Sequence, residues 1–156
     1  MKNVILFDSI VLAGGVLFAN IYNSMVDVKC WGFNIPQSLE ATRQYFKAAN
    51  PGNFFRLFSP VNQVLALIVV ILFWKSSPQA KWYLVSAFVL YVLGDVFTFA
   101  YFYPRNAIMF EGSLNNVDAL KTTWSQWNTM NWFRSLILVA GLICTFLAMR
   151  KIYNFK

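Results

Sequence analysis

Four stretches of the chain are apolar almost without interruption: residues 4–22, 57–74, 82–103 and 127–149. Each is close to the ~20 residues an α-helix needs to cross the hydrocarbon core of a bilayer. Lipid offers no partner to an open backbone N–H or C=O, so helices, whose bonds are internal, are the expected conformation. The short alternating segments of a transmembrane barrel are missing. The pattern predicts an all-α integral membrane four-helix bundle, a single domain over residues 1–156. The first run begins with Lys2, but Asp8 interrupts it and no clear small-x-small cleavage site follows. It is therefore expected to stay as a span, not to leave as a signal peptide.

The connections are unequal. KSSPQAK, between the second and third runs, is a tight turn that makes those spans an antiparallel pair. In the first long loop, SLEATRQYFKAANPG places Leu39, Thr42, Phe46 and Ala49 at helical spacing. Ser38 is expected as N-cap and Asn50-Pro51-Gly52 as the stop, giving a short interfacial helix. In the second long loop, Asn115 or Asn116 is placed to cap a helix that runs into the fourth span.

Composition agrees with a membrane chain: 58% of residues are apolar and 12% charged, against about 25% charged in soluble domains. The net charge of +7 is read as orientation and not as a nucleic-acid footprint. Lys2, Lys75, Lys81, Arg150, Lys151 and Lys156 crowd short segments on one side without acids, while the bases of the two long loops are diluted by Asp27, Glu40, Glu111 and Asp118. Both termini are therefore expected in the cytoplasm, with the chain in the cell (inner) membrane. Histidine is absent, which argues against the commonest haem, copper, non-haem iron and catalytic zinc sites. The two cysteines, Cys30 and Cys144, differ in expected depth and form no CxxC. Neither a metal nor a cofactor is expected. Packing is the expected role of Cys144, and the role of Cys30 is left open.

Polar residues inside the spans are unevenly spread. Counting ~1.5 Å per helical residue from the basic anchors puts Asp95 about 21 Å up, Arg134 about 24 Å, Asn131 about 28 Å, Asn62 and Gln63 about 18–20 Å and Asn20 about 27 Å. In a core ~30 Å thick these groups share one layer in the outer half. Trp124, Trp127, Asn131, Arg134 and Leu138 stripe one side of the fourth helix, and Tyr91, Asp95, Thr98 and Phe102 stripe one side of the third. Asp95 and Arg134 are candidates for a pair, direct or through Asn131 or a water. An unpaired Asp or Arg at the centre of a span costs about 2.5–3.5 kcal/mol on insertion scales. Polar glue between helices and tryptophan anchoring at the interface are the plain alternatives. A layer fed by all four spans is better explained by a cavity with apolar walls and a few convergent polar groups.

Trp127-x-x-x-Asn131-x-x-Arg134 at the head of the last span resembles the anthrone-oxygenase-like family of small membrane proteins. The resemblance extends to Gly14-Gly15 in the first span, to the loop helix with Arg43 and Tyr45 followed by a proline-containing start of the second span, and to Pro104-x-Asn106 after the third. It implies oxidation of an anthrone to an anthraquinone by dioxygen, without an evident cofactor, and it carries over Trp127, Asn131, Arg134 and Asn106 as site residues. Many relatives have histidine where this chain has Asn131, and asparagine cannot take a proton at neutral pH. Asp95 is assigned as base from its depth alone, Asn131 and Arg134 as the groups that hold an enolate oxygen, and Trp124 and Trp127 as stacking walls. Asn106, Asn62 and Asn20 complete the expected lining.

The expected function is a cofactor-independent oxygenase or oxidoreductase acting on an aromatic or quinone-like substrate in the bilayer. The competing readings are a lipid- or quinone-binding module without chemistry, and an accessory subunit with a protein partner or a second copy.

Overall fold

A computed structural model describes residues 1–153 and is helical throughout the predicted spans. Five helices follow one another: α1 (Lys2–Gly32), α2 (Gln37–Ala48), α3 (Gly52–Phe73), α4 (Lys81–Glu111) and α5 (Val117–Tyr153). Four of them, all but α2, are long and apolar enough to cross a membrane. The chain is a multi-pass membrane protein, as the apolar runs require. The four spans form a ring in which α1 packs on α3, α3 on α4, α4 on α5 and α5 back on α1. The start of α1 lies beside the end of α3, where Lys2 Nζ donates to the Leu72 carbonyl at 3.0 Å, and the end of α5 lies beside α1, with the Phe7 and Tyr153 rings stacked 6.2 Å apart.

Apolar side chains cover both surfaces of the ring. Phe18, Leu57, Val96 and Leu136 are among the large side chains left facing outward, where acyl chains replace water. Inside, dispersion contacts and small residues hold the helices, since lipid removes the usual hydrophobic drive between them. Gly141 shows this most clearly. It lets Tyr91 lie on the backbone of α5, and a Cβ there would come within 2.6 Å of the ring. Tyr91 cannot yield easily. It is buried, and its hydroxyl donates at 3.0 Å to Thr145, whose own proton goes to the Gly141 carbonyl. Gly141→Ala is expected to lower stability by about 1–3 kcal/mol through overpacking, measured as the shift in a detergent unfolding transition.

Three helices overrun their apolar stretches. α5 holds 37 residues and is about 55 Å long, well beyond a ~30 Å core. α1 continues past Tyr22 to Gly32, and α4 past Tyr103 to Glu111. The extensions of α1 and α4 carry wide π turns at Asn23–Asp27 and Ala107–Glu111, and a third, at Thr98–Phe102, closes the apolar part of α4. Together with α2 they build a cap at the loop end. Its centre is aromatic: Trp31 meets Trp127 and Phe110 edge-on at 5.1 Å each, and Phe46 meets Phe110 at 5.1 Å. Arg43 of α2 donates through Nε and Nη2 to the Met109 carbonyl at 3.0 and 2.7 Å, which fastens α2 across the bundle.

Two capping expectations are refined. Asn116 is the cap of α5, accepting from the Ala119 N–H at 3.1 Å. Ser38 is not the cap of α2, because the helix begins one residue earlier, after Pro36. Its hydroxyl donates to the Trp31 carbonyl at 2.5 Å, tying α2 back to the end of α1.

Candidate functional site

Polar residues contributed by all four spans form two separate networks. The first joins α1, α5 and α4. Asn20 Nδ2 donates to Ser135 Oγ at 2.8 Å, and Asn131 Nδ2 donates to Ser24 Oγ at 2.6 Å. Arg134 donates through Nη2 to Asn20 Oδ1 and through Nη1 to Thr98 Oγ1 at 3.2 Å. The three hydroxyls share one logic. Ser24, Thr98 and Ser135 each give their single proton to the carbonyl four residues back on their own helix. Their lone pairs are then available to donors on a neighbouring helix.

The second network joins α3 to α4: Gln63 Nε2 donates to Asp95 Oδ2 at 2.5 Å. No direct hydrogen bond or ion pair joins Asp95 to Arg134, although each lies within the other's electrostatic reach. Each is held by neutral partners, and Asn131, the expected bridge, turns to α1 instead.

A cavity of about 510 Å³ opens among these groups. Asp95 and Arg134 both line it, as do Asn20, Asn106 and Trp127, so five of the eight expected site residues come together. The other three do not reach it. Asn131 is fully buried behind the wall: its Nδ2 donates to Ser24 and the Asn20 carbonyl, and its Oδ1 has no partner. Trp124 donates from Nε1 to the Val28 carbonyl at 2.7 Å and lies flat on Gly32, where a Cβ would collide with the indole. Asn62 is buried away from the cavity, with no partner on Oδ1. These three hold helices together or fill the interior. Asn131→Ala is expected to cost about 0.6–1.7 kcal/mol of stability, read from an unfolding curve, and to leave ligand affinity at the cavity unchanged.

The walls are aromatic. Trp31, Phe46, Phe55, Phe102, Phe110 and Trp127 line the space. Trp127 is fixed at both ends: Nε1 donates to Asn106 Oδ1 at 2.8 Å, and its ring meets Phe102 at 4.9 Å. Arg134 is the most unusual group. Only 7% of it is exposed, no carboxylate is bonded to it, and its Nε has no partner. Its guanidinium lies 4.7 Å from the Phe102 ring centre and 5.3 Å from that of Phe55. Aromatic faces support a cation in this way, but they satisfy none of its N–H donors. A guanidinium has five such donors, and protein atoms take two of them here.

Sequence reading missed most of the walls. Phe102 had a signal, since it continues the Asp95–Thr98 stripe. Phe46, Phe55 and Phe110 had none, because a chain with 16 phenylalanines offers no contrast between lining and packing. Trp31 lay beyond the expected end of the first span.

Four spanning helices closed around a lined cavity, with a small cap at one end, define a compact class of polytopic membrane protein. Within that class the chain belongs to the anthrone oxygenase family, whose sequence model matches residues 53–144. The match takes in α3, α4 and most of α5, and with them Asp95, Asn106, Trp127, Asn131 and Arg134. Comparison with curated proteins and with solved structures finds no match.

Proposed function

We propose that the cavity binds a flat, oxygenated aromatic molecule and that the protein catalyses its oxidation by dioxygen. The observation that carries this reading is Arg134: a buried cation with unused donors, between aromatic rings, in a cavity that also holds a carboxylate. A keto or phenolic oxygen of the ligand complements the guanidinium, and the rings complement its faces.

The chemistry follows from the substrate class that the family name suggests. An anthrone carries a methylene between two aromatic rings, opposite a carbonyl. Asp95 takes one methylene proton, and the electron pair moves onto the carbonyl oxygen, which Arg134 holds as an enolate. The enolate carbon gives its electrons to dioxygen, and a C–O bond forms. Asp95 returns its proton to the peroxide, and the hydroperoxide loses its distal OH together with the second methylene hydrogen as water, leaving a carbonyl. One molecule of anthrone and one of dioxygen become one of anthraquinone and one of water.

Binding without turnover has one observation in its favour. Position 131, within the motif, carries asparagine, which is buried and unable to accept a proton. The two readings separate in one assay on the purified protein in phosphatidylcholine vesicles, with anthrone added. The enzyme takes up oxygen and forms anthraquinone in equal amounts, faster than vesicles alone. A binding module retains the tricycle and forms no product above that background.

A further inference from the structure

The cavity has two conceivable mouths, over α2 on the loop side and between α3 and α4 on the flank. We infer that the ligand arrives through the flank, from the lipid phase, so that the substrate class is a molecule already dissolved in the membrane. The inference rests on the reading of the cavity as an aromatic-binding site.

Under α2 the loop side is roofed, and Asn50, Pro51, Gly52 and Glu111 complete the rim at that end. Arg43 bonds α2 to the Met109 carbonyl through two donors, and Trp31, Phe46 and Phe110 close beneath it as mutually edge-on or tilted rings. Opening that route breaks a charge-assisted contact and separates packed aromatics.

The flank is different. α3 packs on α4 over Lys81–Phe97, and not to the same extent on the turns that follow. Above that level the cavity is bordered by Arg56, Ser59 and Pro60 on α3 and by Phe99 and Tyr103 on α4. Phe99 is 60% exposed and Tyr103 43%. Counted along the helices, Pro60 stands about 20 Å above Phe73, and Phe99 about 27 Å above Lys81, both within a ~30 Å hydrocarbon core. The gap therefore meets acyl chains. Pro60 also lacks an N–H to donate to the Arg56 carbonyl, so the first turns of α3 are joined to the rest by one hydrogen bond fewer. An apolar tricycle concentrates in that medium and passes exposed aromatic edges on its way to Arg134.

The test uses the full chain with Cys30 and Cys144 replaced by serine, in phosphatidylcholine vesicles, with 1,8-dihydroxyanthraquinone as probe and quenching of tryptophan fluorescence as readout. Two cysteine pairs are cross-linked with a short bis-methanethiosulfonate reagent that dithiothreitol releases. Arg43→Cys with Met109→Cys, at the α2–α4 contact and outside the cavity lining, locks the roof; Ser59→Cys with Phe99→Cys closes the flank. The flank lock is expected to slow quenching by about tenfold or more, with recovery on reduction, while the roof lock leaves the rate unchanged. Slowing by the roof lock alone, or by neither lock, overturns the inference. Absence of quenching in the protein without cross-links sinks the binding reading and this inference with it, a result distinct from quenching that ignores the flank.

Discussion

Asp95→Asn is expected to reduce oxygen-dependent turnover of anthrone by about 10²–10⁴-fold, the usual contribution of a positioned general base, while anthraquinone binding persists. The change is nearly isosteric, and an amide oxygen can still accept the hydrogen bond that Gln63 now gives to Asp95 at 2.5 Å. The α3–α4 contact therefore survives, and the loss falls on proton abstraction. The only other carboxylate on the cavity is Glu111, exposed at its rim. Glu111→Gln should leave the rate intact. Initial rates of oxygen uptake in the two variants decide the matter, with binding followed by tryptophan quenching. Full turnover in Asp95→Asn would remove the carboxylate from the mechanism.

Arg134→Gln is the second large effect, expected to weaken binding of an oxygenated tricycle by about 10²-fold. Glutamine is long and polar enough to keep one bond to Asn20 or Thr98, and it removes a buried charge that is itself expensive. The fold should then survive better than in an alanine variant, which would leave both acceptors unmatched. Arg134→Lys is not expected to restore affinity. An ammonium cannot lie flat beside the rings of Phe55 and Phe102 while donating to Asn20 and Thr98. Titrating the probe against each variant, with its unfolding transition measured beside it, separates lost recognition from lost structure. Unchanged affinity in Arg134→Gln would reduce this residue to a helix contact.

The spans were legible because ~20 apolar residues in lipid leave the backbone no alternative to a helix. Their ends were not. Hydropathy falls where a helix leaves the bilayer, yet α1 and α4 stay helical through Asn23–Asp27 and Ala107–Glu111, and the cap buries what emerges. The polar layer was also legible, since Asp95, Arg134 and Asn20 are too costly at that depth to be incidental. Their pairing was not. Whether an arginine meets a carboxylate or an amide depends on helix rotation of a few tens of degrees, and the spacing along one helix says nothing about its neighbour. Thus Asn131 and Trp124 share a stripe with Arg134 and still miss the cavity, because α1 pulls both toward itself through Ser24 and Val28. Four of the five expected residues that line the cavity lie in the region that the family model matches. Asn20, which holds Arg134 in place, lies outside it.

The wide turns at Asn23–Asp27 and Thr98–Phe102 carry a historical implication. A π turn accommodates one residue more than an α turn, and one residue is about 100° of helical phase. Trp31 follows the first turn and Asn106 the second, so the phase at which each faces the cavity includes the extra residue of the wide turn before it. A paralogue without those insertions would present different side chains to the same space at equivalent sequence positions. Gain or loss of a single codon in α1 or α4 is accordingly a route by which such proteins could exchange one lining for another while every span stays intact.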